Sequence, residues 1–176
     1  MFKGTYHHRI DGKGRLPVPA AFRRALAGGE GAGSLVLTLL DQCLAAYPPG
    51  EWERLEAQLR ALPAFSGPAK ALTRRLASRA ADCEIDVQGR ILLPPLLRHG
   101  AGLVQDVVVV GVLNRFEVWA PEGWDSFLRE SERLLDDVTL DIQWPLASAT
   151  PPSGGKQARG KQGPSREALP QRKPKR

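Results

Sequence analysis

The chain contains the same motif twice. Ile10-Asp11-Gly12-Lys13-Gly14-Arg15-Leu16-Pro17-Val18-Pro19 returns 75 positions later as Ile85-Asp86-Val87-Gln88-Gly89-Arg90-Ile91-Leu92-Leu93-Pro94, with Ile, Asp, Gly, Arg and the last Pro unchanged. Arg23 falls on Arg98 at the same offset. A second block recurs at an offset of 72, where Tyr47-Pro48-Pro49 matches Trp119-Ala120-Pro121 and Trp52 matches Trp124. The three-residue difference falls in the glycine-rich stretch 28–33, where a loop absorbs length at small entropic cost. Two blocks in the same order at nearly the same spacing mark a duplicated unit. One copy of about 45 residues is too small to bury much core, so the two are expected to pair inside one chain about a pseudo-two-fold axis.

Each copy predicts the same series of elements. A short strand ends at the Asp, and Asp-x-x-Gly-Arg makes a turn in which Gly14 or Gly89 takes positive φ. A second strand covers Arg15 to Val18, or Arg90 to Leu93. Proline opens a short helix, Pro19 to Leu26 or Pro94 to His99. A third strand follows over Ser34 to Leu40, or Asp106 to Leu113. Asp41-Gln42 and Asn114-Arg115 read as turns, and a last strand runs from Cys43 to Tyr47, or from Phe116 to Trp119. After the first copy Trp52, Leu55, Leu59 and Leu62 mark one helical face. A second helix is expected over Lys70 to Arg79, after the breakers Pro63 and Phe65-Ser66-Gly67-Pro68. After the second copy Trp124, Phe127, Leu128 and Leu135 form a similar stripe. Both stripes are expected to pack on the strands. The fold class is mainly β with helices (α+β).

Composition narrows the function. The net charge is +6 over 176 residues, a balance that suits nucleic acid or an acidic surface. From Pro145 onward there are eight Lys/Arg and one acid, Glu167, while the first 144 residues hold 17 basic and 18 acidic residues. The tail is therefore +7 and the rest −1. Lacking aromatics and rich in Pro, Gly, Ser and Gln, residues 145–176 are expected to be disordered. Any nucleic-acid surface on the folded part has to be local. Cys43 and Cys83 make no disulfide framework and no ligand-spaced metal motif, so they read as reduced, buried thiols with no metal and no cofactor. The first residues carry no signal-peptide pattern, and no apolar run approaches the length of a membrane span. A soluble cytoplasmic protein is expected, with no membrane and no small-molecule substrate as partner.

The Asp-x-x-x-Arg turn carries the candidate chemistry. The carboxylates of Asp11 and Asp86 can accept turn N–H groups and hold the guanidinium of Arg15 or Arg90. Taken alone, each pair pins a hairpin. An arginine on a hairpin also suits the major groove, which admits a two-stranded ribbon. Local charge separates the copies. Residues 1 to 24 contain Lys3, Arg9, Lys13, Arg15, Arg23 and Arg24 against Asp11 alone, with His7 and His8 alongside. Residues 82 to 98 contain Arg90 and Arg98 against Asp82, Glu84 and Asp86. Phosphate binding needs clustered cations. The first copy is therefore expected to bind double-stranded DNA through those six cations, with Arg15 reading bases, and the second to serve structure. The bland reading of the first cluster is a solvated charged face, with Lys13 an ordinary exposed lysine.

Together these motifs resemble the MraZ family: Met-Phe-x-Gly at the start, Asp11-Gly12-Lys13-Gly14-Arg15-Leu16 with Pro19, Cys43-Leu44 leading to Tyr47-Pro48 and Trp52, and Asp86-Val87-Gln88-Gly89-Arg90. The resemblance covers about residues 1 to 143. It implies two SpoVT-AbrB type domains of the swapped-hairpin barrel fold, placed at 5–50 and 80–123. Linker helices would lie at 51–79, a C-terminal helix at 124–144 and the basic tail at 145–176. It also implies a nucleoid-associated transcriptional regulator of the division and cell-wall gene cluster, assembled as a ring of identical subunits on repeated G-rich promoter boxes upstream of its own operon. The tail is not part of that pattern.

An enzyme is a poor reading. His7, His8 and His99 stand beside no nucleophile motif, and Gly28 to Gly33 lacks the Lys-Ser/Thr of a phosphate loop. Two alternatives remain open: an antitoxin-like interaction protein, since hairpin folds of this type occur in toxin–antitoxin pairs, and an RNA-binding factor, which the basic tail alone permits.

Overall fold

The computed structural model describes residues 1–28 and 33–136. Each copy contributes four strands and one short helix. The first has β1 (Thr5–Arg9), β2 (Arg15–Pro17), α1 (Ala20–Leu26), β3 (Ser34–Leu40) and β4 (Cys43–Tyr47). Two helices, α2 (Pro49–Arg60) and α3 (Gly67–Ala77), lead to the second copy: β5 (Ala81–Glu84), β6 (Arg90–Leu92), α4 (Pro95–Gly100), β7 (Asp106–Val112) and β8 (Arg115–Trp119). Helix α5 (Pro121–Asp136) follows. The fold is mixed α+β. The expected basic tail at 145–176, and the end of the helix expected at 124–144, lie outside the described residues.

The copies are interleaved rather than placed side by side. Six strands form one sheet in the order β1-β7-β8-β4-β3-β5, and β2 pairs with β6 in a separate two-stranded ribbon. Every pairing is antiparallel. Exchanging each strand with its counterpart in the other copy reverses the order and leaves it unchanged, which is the pseudo-two-fold symmetry the repeat predicts. Strand β1 completes the second copy through Thr5↔Val110 to Arg9↔Asp106, and β5 completes the first through Ser34↔Glu84 to Leu37↔Ala81. The six strands do not close into the expected barrel: β1 and β5 are the two edges of an open sheet.

Burial follows strand alternation. On the inner face Leu35, Leu37, Leu39, Leu44, Ala46, Val107, Val109, Phe116 and Val118 join Leu16, Ile91, Phe22 and Leu97 in one core. Phe2, Phe22 and Phe116 meet edge-on or tilted at 5.2–5.6 Å between centroids, in the range where aromatic pairs attract. On the outer face Val36, Ala45 and Tyr47 lie under Trp52 of α2. Helix α3 is tied down by the buried Thr38 hydroxyl, which donates to the Leu76 carbonyl at 2.9 Å. Strand β3 is thus covered on both sides, which explains its near-continuous apolar run.

Several details depart from the sequence expectations. Helix α3 begins at Gly67 rather than Lys70 because Pro68 fits its first turn, and Leu62 lies beyond the end of α2. The β7–β8 turn lies one residue earlier, with Leu113 at φ 59° matching Asp41 at φ 51°, and Arg115 already in β8. The stripe on α5 is only partly covered. Trp124 and Phe127 meet Trp119 at tilted angles, 5.7 and 5.2 Å between centroids, yet Phe127 and Leu128 remain 46% and 41% exposed. The first copy has α3 as a second cover for its outer face. Among the described residues the second copy has only α5.

This interleaving makes a firm prediction. A fragment of residues 1–79 lacks the partners of β1, β2 and β4 and leaves Leu16 without Ile91. Circular dichroism and sedimentation should show an unfolded chain or a self-associated one, in which a second copy supplies the missing strands. A stable folded monomer would contradict the reading.

Candidate nucleic-acid interface

The candidate site is built on the Asp-x-x-Gly-Arg turns, which share one hydrogen-bond pattern. In the first, the Asp11 carbonyl accepts from Gly14 N at 2.9 Å, and Asp11 Oδ1 accepts from the N–H groups of Lys13 and Arg15, each at 2.9 Å. In the second, the Asp86 carbonyl accepts from Gly89 N at 2.8 Å, and Oδ1 from Gln88 and Arg90 at 2.9 and 3.0 Å. Each carboxylate closes its own turn and then reaches the arginine. Arg15 Nε donates to Asp11 Oδ2 at 2.7 Å. Arg90 donates both Nε and Nη2 to Asp86 Oδ2, at 2.9 and 2.7 Å. Gly14 and Gly89 sit at φ 81° and 75°, where a side chain is strained.

The turns open the two strands of the β2–β6 ribbon. Its register is Arg15↔Leu92, Leu16↔Ile91 and Pro17↔Arg90, extended by bonds from Leu93 N to the Gly14 carbonyl and from Val18 N to the Gly89 carbonyl. Leu16 and Ile91 point into the core with no exposure. Alternation then places Arg15, Pro17, Arg90 and Leu92 on the outer face. Arg15 and Arg90 are diagonal neighbours there, about 7–8 Å apart at their Cα atoms. One turn stands at each end of the ribbon.

The six candidate cations do not all converge. Lys13 is exposed on the first turn, next to Arg15. Arg9 is held by Asp106 across the β1–β7 pair, Nε to Oδ1 at 2.9 Å with both side chains mostly exposed. Lys3 is exposed and precedes β1, across the left-handed Gly4. Arg24 is exposed on α1. Arg23 leaves its own repeat: a Cβ on Gly89 would stand 2.6 Å from Arg23 Cδ and 2.7 Å from Nη1. It covers the second turn, not the first.

Its counterpart Arg98 makes the reverse crossing. A Cβ on Gly14 would stand 3.1 Å from Arg98 Nη1, so this half-buried guanidinium lies against the first turn. Counting charge along the chain assigns Arg98 to the second copy and Arg23 to the first, and the fold swaps them. Arg98 therefore lies at the candidate site, a placement that sequence reasoning missed. The one signal for it, its alignment with Arg23, says nothing about which turn it reaches. Apart from this exchange the turns differ at their tips, where Gly12-Lys13 of the first corresponds to the exposed Val87-Gln88 of the second.

The electrostatics follow the hydrogen bonds. The Arg15 N–H holds the Asp11 carboxyl down at about 2 against the opposing effect of partial burial, helped by the Arg15 guanidinium and the Lys13 N–H. Asp86 is lowered too, first by the Arg90 guanidinium and then by the Arg90 N–H. Both cysteines are buried and unpaired, and burial pushes the Cys83 thiol up to about 11. Among the described residues no group of His, Cys, Asp and Glu is placed to hold a metal, and no helix is long and apolar enough to cross a membrane.

Fold and site together define a class: two-repeat proteins whose copies exchange strands and present an arginine-bearing ribbon outward. Comparison with known proteins makes this specific. The family described as "MraZ protein, putative antitoxin-like" matches over residues 1–75 and again over 76–141. The "Transcriptional regulator MraZ" of Natranaerobius thermophilus is 42% identical over 142 residues, covering 81% of this chain and 96% of that protein. Those of Limosilactobacillus reuteri (strain DSM 20016) and Desulfitobacterium hafniense (strain DSM 10664 / DCB-2) are 46% and 49% identical, over 81% and 75% of this chain and 97% and 90% of theirs. The chain belongs to the MraZ family, whose members named here are transcriptional regulators and not enzymes.

The turns predict an acid-dependent stability. Both aspartates have folded-state pKa values below the ordinary value near 3.9. Their stabilisation is complete above that value and fades as pH falls through the folded one, about 2 for Asp11. Thermal unfolding followed from about pH 5 to pH 2 should show the melting temperature dropping between pH 4 and 2. The drop should be smaller in an Asp11→Asn, Asp86→Asn double variant. An equal drop in both proteins would place the acid sensitivity elsewhere.

Proposed function

We propose that this chain is a sequence-specific DNA-binding transcriptional regulator of the division and cell-wall gene cluster, acting on repeated G-rich boxes upstream of its own operon. One observation carries the reading: a β-ribbon anchored by Leu16 and Ile91 presents Arg15 and Arg90 on its outer face, each gripped by its own aspartate. The major groove of B-DNA admits a two-stranded ribbon, and an arginine fork can engage guanine O6 and N7 together. An arginine already held in place loses less freedom on binding. The names of the relatives support the regulatory role.

Within this proposal Arg15 is the base-reading residue. It gives Asp11 its Nε, whereas Arg90 gives Asp86 both Nε and Nη2, and the first turn carries Lys13. Arg9, Arg23, Arg24 and Lys3 are assigned to phosphates, Arg9 by exchanging Asp106 for DNA. The finer fold assignment belongs here as well: SpoVT-AbrB type domains at 5–50 and 80–123, supported by the strands the copies exchange. Assembly into a cytoplasmic, nucleoid-associated ring would set several ribbons against repeated boxes and gain affinity through multivalency. The words "antitoxin-like" in the family description favour a second reading, a partner of a small toxin. Co-purification of such a protein with the full chain would support that reading. Competition between duplex DNA and RNA tests the RNA-binding alternative.

Two measurements follow. Arg15→Ala should cost about 1–3 kcal/mol of base discrimination against a scrambled duplex, with unfolding temperature and oligomer mass unchanged. Arg90→Ala should change stability or assembly first, and the opposite pattern would reverse the roles of the copies. Deleting residues 145–176 removes a net charge of +7. It should flatten the salt dependence of binding while preference for the upstream duplex persists. Loss of that preference would move recognition from the ribbon to the tail.

A further inference from the structure

Arg98 and Arg23, the two arginines that cross to the other repeat's turn, stand apart from the carboxylate-bound arginines near the ribbon. Arg9, Arg15 and Arg90 each face a carboxylate at 2.7–2.9 Å. Among the described residues Arg98 makes no ion pair, and neither does Arg23. Arg23 is exposed, whereas Arg98 is half-buried. Arg98 projects from α4, whose Leu97 is buried in the shared core, and its Nη1 lies against the backbone of Gly14. A half-buried guanidinium with no acidic partner, fixed beside Lys13 and Arg15, is a cation waiting for an external anion. Arg is well suited to phosphate oxygens because its fork is planar and permanently charged.

We propose that Arg98, carried by the second repeat, is a DNA-phosphate contact of the first repeat's hairpin, with Arg23 the matching contact at the second hairpin. The DNA-binding surface is then composite: the residue that reads bases and the residue that grips the backbone beside it come from different repeats. This rests on the ribbon being the DNA-binding element. It gives the duplication a functional consequence, because neither hairpin is complete without the other repeat. A Cβ at the fourth position of either turn would meet the crossing arginine, in addition to the strain of its positive φ.

The test uses the full chain and two fluorescent DNA duplexes, one from immediately upstream of its own gene and one of the same length scrambled. Affinity is measured against salt for the unchanged protein, Arg98→Ala, Arg98→Lys, Arg98→Gln and Arg15→Ala, with melting temperatures recorded alongside. Each phosphate contact contributes about 0.9 to the slope of log affinity against log salt. Arg98→Ala and Arg98→Gln should lower that slope by about this amount and weaken both duplexes by similar factors, while Arg98→Lys restores most of the slope. A purely structural Arg98 would lower the melting temperature and leave the slope unchanged, which overturns the inference. If Arg98→Ala fails to fold, equal slopes for the Gln and Lys variants overturn it instead. Arg15→Ala separates the two levels. If it loses preference for the upstream duplex while Arg98 variants bind normally, the composite site alone is wrong. If it binds like the unchanged protein, the ribbon reading falls and the inference with it.

Discussion

Strand pairing between the repeats is the constraint on which the other features depend. Each copy alone has too little apolar surface for a core, and its edge strands would be left open. Interleaving solves both problems at once. Strand β1 is used by the second copy and β5 by the first, while β4 and β8 join the halves through Leu44↔Val118 to Ala46↔Phe116. The core that results belongs to neither repeat: Phe2 and Phe22 from one pack against Phe116 from the other.

That shared core also explains how a ribbon of three residues per strand stays fixed. Two-stranded ribbons are marginal by themselves. Here Leu16 and Ile91 are fully buried at its centre, each contributing roughly 1.5–3 kcal/mol of burial. The turns at its ends are closed by aspartates that accept two N–H groups apiece. Rigidity is set from beneath and from both ends, so the arginines on the outer face inherit a fixed frame. The same pseudo-symmetry places different side chains on matching turns, Gly12-Lys13 against Val87-Gln88, with the same backbone hydrogen bonds to the aspartate.

Much of this was legible along the chain. The strands Ser34–Leu40 and Cys43–Tyr47 have the bounds their apolar runs and the Asp41-Gln42 turn predict. The Asp–Arg pairing in both turns follows from spacing and carboxylate chemistry. The β7–β8 turn shifted by a residue because the left-handed position falls on Leu113, a residue type that does not announce it, rather than on Asn114. The α5 stripe promised more burial than it received, since helical periodicity shows which face is apolar and not how much surface lies opposite. Charge counting failed for a related reason. Summing residues 1 to 24 treats neighbours in sequence as neighbours in space, and the exchange of Arg23 and Arg98 breaks that identity.

The sequence by itself determined the duplication, the α+β class, the two aspartate-gripped arginines and the turn glycines, because each rests on local chemistry repeated within a few residues. The tertiary structure decided which strands pair across the repeats, that the six-stranded sheet stays open, that Arg9 meets Asp106, and that each turn is covered by an arginine of the other copy. Those outcomes depend on long-range packing about the pseudo-two-fold axis, where strand partners lie from 44 to 105 residues apart in the chain and only the buried core of both repeats brings them together.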